Sequence, residues 1–225
     1  MNTLKRIAAR LPQPVQHRLK RALYAHQIRR GTFRTPEPEF DLLPQLVRPG
    51  SVVIDVGANI GHYTLRLAQL VGPEGRVYAF EPMPKTFDLL CRNVVTAGYA
   101  RTVHAHNRAA SDAARVVRMS MPKFDTGLDD PYEAAIADDG NTAVQAVRVE
   151  CIAPHSNVSL IKIDVEGHEY PALLGMRQIL EASHPTLIVE GDAPKVRELL
   201  ASYGYTSRRL IDSPNTLWMH GEASP

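Results

Sequence analysis

Four acidic residues each stand at the end of an apolar run that has the composition of a β-strand. They are Asp55 after VVI, Glu81 after VYAF, Asp164 after LIKI and Glu190 after LIV. Because ligands of an open α/β sheet bind outside the carboxyl ends of its strands, we expect these four groups to face one site. Carboxylates there can bind the two hydroxyls of a ribose, accept a proton from a substrate hydroxyl, or hold a divalent cation.

A glycine-rich turn, DVGANIG over residues 55–61, follows the first of these strands and precedes a run with helical spacing. An α/β fold uses a strand, a glycine-rich turn and a helix to build a pocket for a nucleoside-like ligand. The dinucleotide pattern G-x-G-x-x-G, begun at Gly57, would need glycine where the chain has Asn59 and His62. This mismatch disfavours a pyrophosphate ligand and a nicotinamide enzyme. Together with Glu81, the turn predicts an adenosine-type cofactor.

The stretch IKIDVEGHE, residues 161–169, predicts a buried strand, a tight turn and the start of a helix. Lys162 and Asp164 share one face of that strand, since side chains alternate with a period of two. A lysine in a central strand is costly to bury without a partner. We expect Lys162 to pair with Asp164 or with Glu190, either as part of the chemistry or as a structural ion pair.

DVGANIG, the FEP at residues 80–82 and IKIDVEGHE together resemble the FkbM family of S-adenosylmethionine-dependent methyltransferases, over roughly residues 50–212. The resemblance implies a class I methyltransferase fold and S-adenosylmethionine as cofactor. It also implies O-methylation of a hydroxyl on a sugar, glycolipid or polyketide-like small molecule. Family members commonly carry Thr-Leu-Asp before the IKID strand. This chain has ECIA at residues 150–153, so Ala153 stands where the family has the aspartate.

The predicted site residues divide between cofactor binding and catalysis. The cofactor-binding residues are Asp55, Gly57, Asn59, Gly61, Glu81, Pro82 and Ala109, and the catalytic ones are Asp164, His168, Glu190 and Lys162. A hydroxyl is a weak nucleophile, so its proton must leave to a base or be acidified by a metal.

The identity of the proton acceptor stays open at this stage. His168 is a candidate base because imidazole titrates near neutrality, and it can equally be a helix-start residue with no chemical role. The oxygen ligands of Asp164, Glu166 and Glu190 suit magnesium. Spacing alone assigns no metal, and these three residues are only candidate ligands.

The alternation of strands and helices predicts an α/β fold with a doubly wound, mostly parallel seven-stranded sheet. The predicted strands are 52–56, 76–81, 101–106, 159–164, 186–190, 205–211 and 216–220, and the helices are about 60–71, 84–97, 168–182 and 193–203. Only DSPN joins the last two strands. Because that link is too short for a crossover, the terminal strand must be antiparallel.

We predict a methyltransferase domain over residues 41–225, with an insert or lid at 111–150 that holds two edge strands at 115–121 and 143–149. The loop between them carries six acids: Asp125, Asp129, Asp130, Glu133, Asp138 and Asp139. A loop of this length is either a functional lid or a solvated acidic segment.

Residues 1–40 form a predicted N-terminal helical cap, of which residues 1–30 contain eight basic residues and no acidic one. The whole chain is +2, which leaves −6 for residues 31–225. We expect two short amphipathic helices, separated by Pro12 and Pro14, to pack across the open end of the pocket. The positions with helical spacing are Leu4, Ile7, Ala8 and Leu11, then Val15, Leu19, Ala22, Leu23 and His26.

The arm has three interpretations: a solvated cap, a peripheral contact with the anionic inner face of a membrane, or an RNA contact. Tyr24 is the only Phe, Tyr or Trp among the basic residues of this segment, so nucleic acid is disfavoured. Two cysteines without metal or disulfide spacing, and the lack of an apolar membrane-length run or signal peptide, predict a cytoplasmic protein. The alternatives to a small-molecule, glycolipid or polysaccharide acceptor are an RNA methyltransferase and a non-catalytic cofactor-binding scaffold.

Overall fold

The computed structural model describes residues 9–221. Of the first predicted helix of the arm, which runs from Leu4 to Leu11, residues 4–8 lie outside that range. The described strands are β1 (Val52–Val56), β2 (Arg76–Phe80), β3 (Val103–His106), β4 (Ala109–Ala110), β5 (Arg115–Ser120), β6 (Ala135–Ile136), β7 (Thr142–Val147), β8 (Val158–Ile163), β9 (Thr186–Glu190), β10 (Tyr205–Arg209) and β11 (Asn215–His220). The described α-helices are α1 (Gln13–Arg30), α2 (Leu43–Leu46), α3 (His62–Val71), α4 (Pro84–Thr96), α5 (Glu169–Leu174), α6 (Arg177–Ser183) and α7 (Pro194–Ser202). Short 3-10 turns lie at Pro38–Asp41, Pro131–Glu133 and Val149–Cys151.

The main sheet has seven strands in the order β10-β11-β9-β8-β1-β2-β3. All neighbouring pairs are parallel except those of β11, which runs antiparallel to both β9 and β10. The predicted α/β fold, with its antiparallel terminal strand, is confirmed. The strand order reverses between β1 and β8, so their carboxyl ends form the switch point of the sheet, where ligands of such folds bind.

Two apolar clusters cover the two faces of the sheet. Ile54 and Val56 belong to the cluster packed by α5, α6 and α7, whereas Val53 belongs to the one packed by α3 and α4. This division follows from the alternation of side chains along β1. All six residues of β8 are buried, as a central parallel strand covered on both faces requires.

The helix predicted over 168–182 is two helices, α5 and α6, with a break at Gly175 and Met176. A Cβ built on Gly175 would lie 2.0 Å from the carbonyl oxygen of Ser111. The glycine therefore lets the break pack directly against the start of the insert. The spacing of apolar residues in the sequence does not predict such a contact.

The insert forms a sheet of its own, in the order β4-β7-β5-β6, and its strands do not extend the edge of the main sheet. The two predicted edge strands appear as β5 and β7, which pair antiparallel with each other. The loop between them is partly ordered by a bridge between Lys123 and Asp129. Asp130 is buried and accepts a hydrogen bond from the Tyr132 amide at 3.0 Å, whereas Asp125, Glu133, Asp138 and Asp139 are exposed.

Helix α1 packs beside α4 through its polar side. His17 and Arg21 contact the carboxylate of Asp88 at 2.7 and 2.6 Å. The face turned to solvent carries the positions of the predicted stripe, namely Val15, Leu19, Ala22, Leu23 and His26. Leu19 and Leu23 keep 51% and 52% of their surface exposed. No described helix is long and apolar enough to cross a membrane.

Candidate active site

A pocket with about 740 Å³ of empty space opens at the carboxyl ends of β1, β2 and β8. The acidic side chains that line it are Glu37, Asp55, Glu81, Asp164 and Glu166, and the lysine that lines it is Lys162. Helix α1 contributes none of the described residues that line the pocket, whereas the segment after it contributes Thr35 and Glu37. The pocket is therefore strongly acidic, and Lys162 is buried in its floor.

The glycines of the β1–α3 turn are required by packing as well as by backbone conformation. Gly57 has φ of 80°, and a Cβ built there would lie 1.7 Å from the carbonyl oxygen of Asp164. Gly61 has φ of 97°, and its Cβ would meet Leu90 Cδ1 at 2.7 Å. Asn59 takes φ of 48° at the tip of the turn, a conformation that asparagine tolerates better than most residues. The turn thus lies tightly between the end of β8 and α4.

Glu81 both shapes this turn and faces the pocket. Its two carboxylate oxygens accept hydrogen bonds from the backbone amides of Asn59, at 2.9 Å, and Met83, at 2.8 Å. Burial raises the pKa of Glu81 to about 7. Each oxygen has a second lone pair, so the group can still accept hydrogen bonds from a ligand hydroxyl.

The other predicted cofactor residues divide between two cavities. Asp55 is buried in the pocket floor, accepts a hydrogen bond from Thr64 Oγ1 at 2.5 Å, and has a pKa raised to about 6 by burial. Pro82 also lines the pocket. Ala109 does not, because pairing of β4 with β7 holds it beside a separate, smaller cavity. Its predicted contact with the cofactor is not supported by this placement.

Lys162 forms the ion pair expected from its position in the central strand. Only 1% of its surface is exposed, and its Nζ donates to Asp164 Oδ2 at 3.1 Å and to Asn215 Oδ1 at 2.8 Å. The ammonium also lies 5.2 Å from the centre of the Tyr63 ring. The predicted pairing with Asp164 is confirmed, and the lysine anchors that carboxylate from below.

Three carboxyl groups converge where β8 and β9 end. Ligand oxygens of Asp164, Glu166 and Glu190 all lie within 4.8 Å of one another. Burial, followed by the charge of Asp164 and a hydrogen bond with it, raises the pKa of Glu190 to about 8. The pKa of Glu166 is also raised, first by burial and then by Asp164. Such a cluster can hold a proton between carboxylates or a divalent cation among them.

His168 lies on a different side of the tight turn from Asp164. Glu166 and Gly167 have φ of 51° and 90°, and the chain then starts α5 with His168 as its first flanking residue. The imidazole Nε2 is 3.0 Å from Ser111 Oγ and lines the small cavity beside Ala109. Burial, followed by Arg115, lowers the pKa of His168. His168 therefore lies outside the pocket that Asp164 lines, in the position of a helix-start residue, and its role as the base stays a prediction.

Several residues that line the pocket or lie buried behind it were absent from the sequence-based prediction. Glu37, Glu39, Tyr63 and Asn215 join Lys162 through hydrogen bonds, and Tyr132 lines the rim from the insert. They come from the N-terminal segment, α3, β11 and the insert, so no local motif unites them. The only available signal was the buried lysine itself, since a buried charge needs more partners than one carboxylate supplies.

The doubly wound sheet, the glycine turn at the switch point and the acid after β2 are those of a class I S-adenosylmethionine-dependent methyltransferase. A model of the family described as "Methyltransferase FkbM domain" matches residues 55–207. This chain belongs to that family, which the motifs at 55–61 and 161–169 had indicated.

Individual relatives agree with this assignment. The chain is 32% identical over 199 residues to 31-O-demethyl-FK506 methyltransferase FkbM of Streptomyces tacrolimicus, covering 71% of this chain and 74% of that protein. It is 26% identical over 144 residues to the hexuronic acid methyltransferase AglP of Haloferax volcanii, covering 63% and 56%. The crystal structure of methyltransferase FkbM from Methylobacillus flagellatus KT has the same fold, with a TM-score of 0.55 at 17% identity. That match covers 81% of this chain and 50% of the solved one, so the chain spans about half of that protein.

Proposed function

We propose that this methyltransferase transfers a methyl group to a hydroxyl of a sugar, glycolipid or polyketide-like small molecule. The observation that carries the proposal is the cluster of Asp164, Glu166 and Glu190 beside the acidic cofactor pocket, with Lys162 under Asp164. The relative named for 31-O-demethyl-FK506 lends support, since that name describes an oxygen as the methylated atom, and the relative named for a hexuronic acid acts on a sugar-derived compound.

The pocket residues fit S-adenosylmethionine, which supplies an electrophilic methyl group on a positively charged sulfur. Glu81 can hold the ribose hydroxyls while it keeps its two backbone hydrogen bonds. Asp55 and Asp164 add negative charge on either side of the switch point, and this favours a cation in a partly desolvated pocket. Gly57 lets the turn pass directly beside the backbone carbonyl of Asp164, which brings the cofactor turn next to that carboxylate.

Glu190 and Asp164 would receive the proton of the acceptor hydroxyl. A general base works best when its pKa lies near the working pH, and burial beside Asp164 gives Glu190 a pKa of about 8. The ammonium of Lys162 holds Asp164 in place, so the pair presents a defined proton acceptor at the edge of the pocket. His168 has no part in this proposal.

A magnesium-type cation bound by Asp164, Glu166 and Glu190 is the second candidate for activating the hydroxyl. The close approach of three carboxylate oxygens favours it, since hard divalent cations prefer such ligands. Chelation separates the two proposals, because a carboxylate base needs no metal.

The charge of the pocket favours an uncharged acceptor. Besides the cofactor acids, Glu37 lines the mouth, and the pKa of the nearby His62 is lowered to about 4 by burial, so that imidazole is neutral. An anionic acceptor would meet these carboxylates without a free cation among the described lining residues. Tyr132 and His62 offer flat surfaces on which a sugar ring can pack.

The direct test incubates the full chain with isotope-labelled S-adenosylmethionine and a panel of acceptors, followed by mass spectrometry. The panel contains neutral glycosides, a macrolide with a free hydroxyl, a hexuronate and RNA. Each hydroxyl compound is matched by its O-methylated form. We expect transfer to a neutral hydroxyl compound and none to its blocked form. Methylated RNA would favour the RNA alternative, and cofactor binding without transfer to any acceptor would favour the scaffold.

We also propose that α1 brings the protein to an anionic membrane surface, where lipid-linked sugars are presented. The support is the face that α1 turns to solvent, which combines Leu19 and Leu23 with Arg18, Arg29 and Arg30 and has no acidic residue. An apolar stripe bordered by cations is the composition of helices that lie in a membrane interface. The chain leaving α1 reaches the pocket through Thr35 and Glu37, so such a contact would place the pocket mouth near the lipid.

A further inference from the structure

A buried polar chain runs from the candidate catalytic carboxylate to the segment that precedes the first strand. Asp164 accepts from Lys162, Lys162 also donates to Asn215 Oδ1, and Asn215 Nδ2 donates to Glu39 Oε1. The hydroxyl of Tyr63 donates to the same Glu39 oxygen at 3.1 Å and to Glu37 Oε2 at 2.5 Å. Asn215 and Glu39 keep 2% and 0% of their surface exposed.

The chemistry of each member sets the direction of every hydrogen bond in this chain. An ammonium can only donate and an ionised carboxylate can only accept, so the Asn215 amide must present its oxygen to Lys162 and its nitrogen to Glu39. Burial beside Glu37 and Glu39 raises the pKa of Tyr63, which keeps that hydroxyl protonated as a donor. The amide is therefore held at both ends and has one orientation.

We propose that Asn215 and Glu39 are positioning residues, which hold Lys162 and through it the carboxylate of Asp164 in the geometry needed for methyl transfer. This inference rests on the proposed function of Asp164. Neither residue touches a reacting atom, and both lie outside residues 55–207 that the family model matches. The segment around Pro38–Asp41 then contributes to the geometry of the active site through Glu39, although it precedes β1 in the chain.

The physical reason lies in the freedom of a lysine side chain. Lys162 has several rotatable bonds, and with Asn215 removed its ammonium would keep the hydrogen bond to Asp164 and the contact with the Tyr63 ring but lose its second hydrogen bond. The pair could then shift together, and a displacement of about 1 Å can cost on the order of 10² in rate. Glu81 and Asp55 keep their own hydrogen-bond partners and Asp164 keeps its charge, so cofactor binding should not follow the same loss.

The test compares Asn215→Leu with Ser159→Ala in the full chain. Ser159 lies on the same strand as Lys162 but at the amino end, where its hydroxyl is 2.7 Å from Ser51 Oγ. We expect Asn215→Leu to lower kcat by roughly ten- to hundredfold while the Kd for S-adenosylmethionine changes less than about threefold. Ser159→Ala should lower only the melting temperature.

Two double variants separate positioning from simple stability. Asn215→Leu with Glu39→Leu removes both partners, which often restores stability, and we expect kcat to stay low. Asn215→Asp with Glu39→Gln exchanges the amide and the carboxylate and preserves both hydrogen bonds, so kcat should recover relative to Asn215→Asp alone. The inference is overturned if kcat follows the melting temperature in every variant.

An activity-independent measurement keeps this test distinct from that of the proposed function. The Lys162 ammonium, because it is buried and hydrogen-bonded, should give a slowly exchanging NMR signal in the wild-type chain that Asn215→Leu broadens or moves. If the signal changes but no wild-type methyl transfer to any hydroxyl is found, the proposed function has failed while the contact stands. An unchanged signal in an active enzyme would refute the positioning role.

Discussion

Glu81 illustrates how one side chain serves both the fold and the ligand. Its carboxylate is buried, carries two backbone amides, and still lines the pocket. A carboxylate that already orders the turn can meet the ribose without rearrangement, which lowers the cost of binding.

The first prediction concerns the loss of this group. Glu81→Ala should weaken binding of S-adenosylmethionine by roughly tenfold to thousandfold, because one or two charge-assisted hydrogen bonds are worth about 1.5–3 kcal/mol each. It should also lower the melting temperature, since the amides of Asn59 and Met83 lose their acceptors. Calorimetry on the folded variant measures the affinity, with the exposed Glu74→Ala as control. An unchanged affinity for S-adenosylmethionine would show that Glu81 does not bind the cofactor.

The second prediction distinguishes Glu190 from His168 as the base. With a pKa of about 8 in the free enzyme, Glu190 accepts a proton only when ionised, so kcat/KM should rise with pH through that value. Glu190→Gln should flatten the rise and cost roughly 10²–10⁴ in rate, whereas His168→Ala should change the rate by less than about tenfold.

The control for this prediction is metal removal. If a cation activates the hydroxyl instead, a chelator should abolish turnover and magnesium should restore it, and Asp164→Asn should be as damaging as Glu190→Gln. If the His168→Ala enzyme loses the pH dependence, the base is the imidazole of His168 and not Glu190.

At the scale of elements, α1 shows that an amphipathic pattern does not by itself tell which face meets the protein. On its polar side, His17 and Arg21 contact Asp88 of α4. Burial lowers the pKa of Lys20, and the nearby charge of Asp129 in the insert opposes that shift. These charged partners hold α1 by the face opposite to the apolar stripe. The stripe is left to solvent or to a surface outside the chain.

The third prediction tests that surface. The full chain should float with liposomes that contain an anionic lipid and float less with zwitterionic ones or at high salt, because both apolar and ionic contacts contribute. Leu19→Glu with Leu23→Glu should abolish flotation. Val95→Glu, which changes a residue exposed at 67% on α4, should not.

The outcome that contradicts the membrane contact is equal flotation of both variants. A dimer in solution that only the Leu19 and Leu23 changes dissociate would instead identify the face as an interface between two copies. Catalysis on a water-soluble acceptor should be the same in all three proteins, since no residue of α1 is among the described residues that line the pocket.

For the molecule as a whole, the concentration of buried carboxyl groups at one sheet edge affects stability. Burial raises the pKa of Asp55 to about 6, of Glu81 to about 7 and of Glu190 to about 8. The folded protein therefore holds protons that the unfolded chain releases at lower pH. The stability that these protons contribute is complete below the ordinary carboxyl range and is lost as the pH rises through these values.

The fourth prediction is that the melting temperature of the cofactor-free protein falls as the pH is raised from about 5 to about 8.5. Differential scanning calorimetry measures it, and Glu190→Gln should flatten the upper part of the decline because it carries no proton to release. A melting temperature that stays constant or rises over this range would show that the three groups are ionised in the folded protein at low pH.

The sequence alone determined the sheet, the cofactor turn and the family. These three predictions rest on two short stretches, residues 55–61 and 161–169. In each stretch strand, turn and helix follow one another, so residues that are close in the sequence are also close in space. The pairing of Lys162 with Asp164 was predictable for the same reason, since residues two positions apart on a strand have side chains on the same face.

Only the tertiary structure decided which side chains meet across long separations. Asn215 binds Lys162, and Glu39 binds Asn215 from the opposite end of the chain. His168 is turned away from the pocket by the backbone at Glu166 and Gly167, and α1 faces the domain with its charges. Each of these outcomes depends on a neighbouring part of the structure. The buried ammonium of Lys162 needs acceptors, the turn at Gly167 reverses the direction of the chain before His168, and a carboxylate on α4 attracts the charged side of α1. The spacing of residues within a segment does not contain that information, because it depends on that segment alone and not on the elements that pack against it.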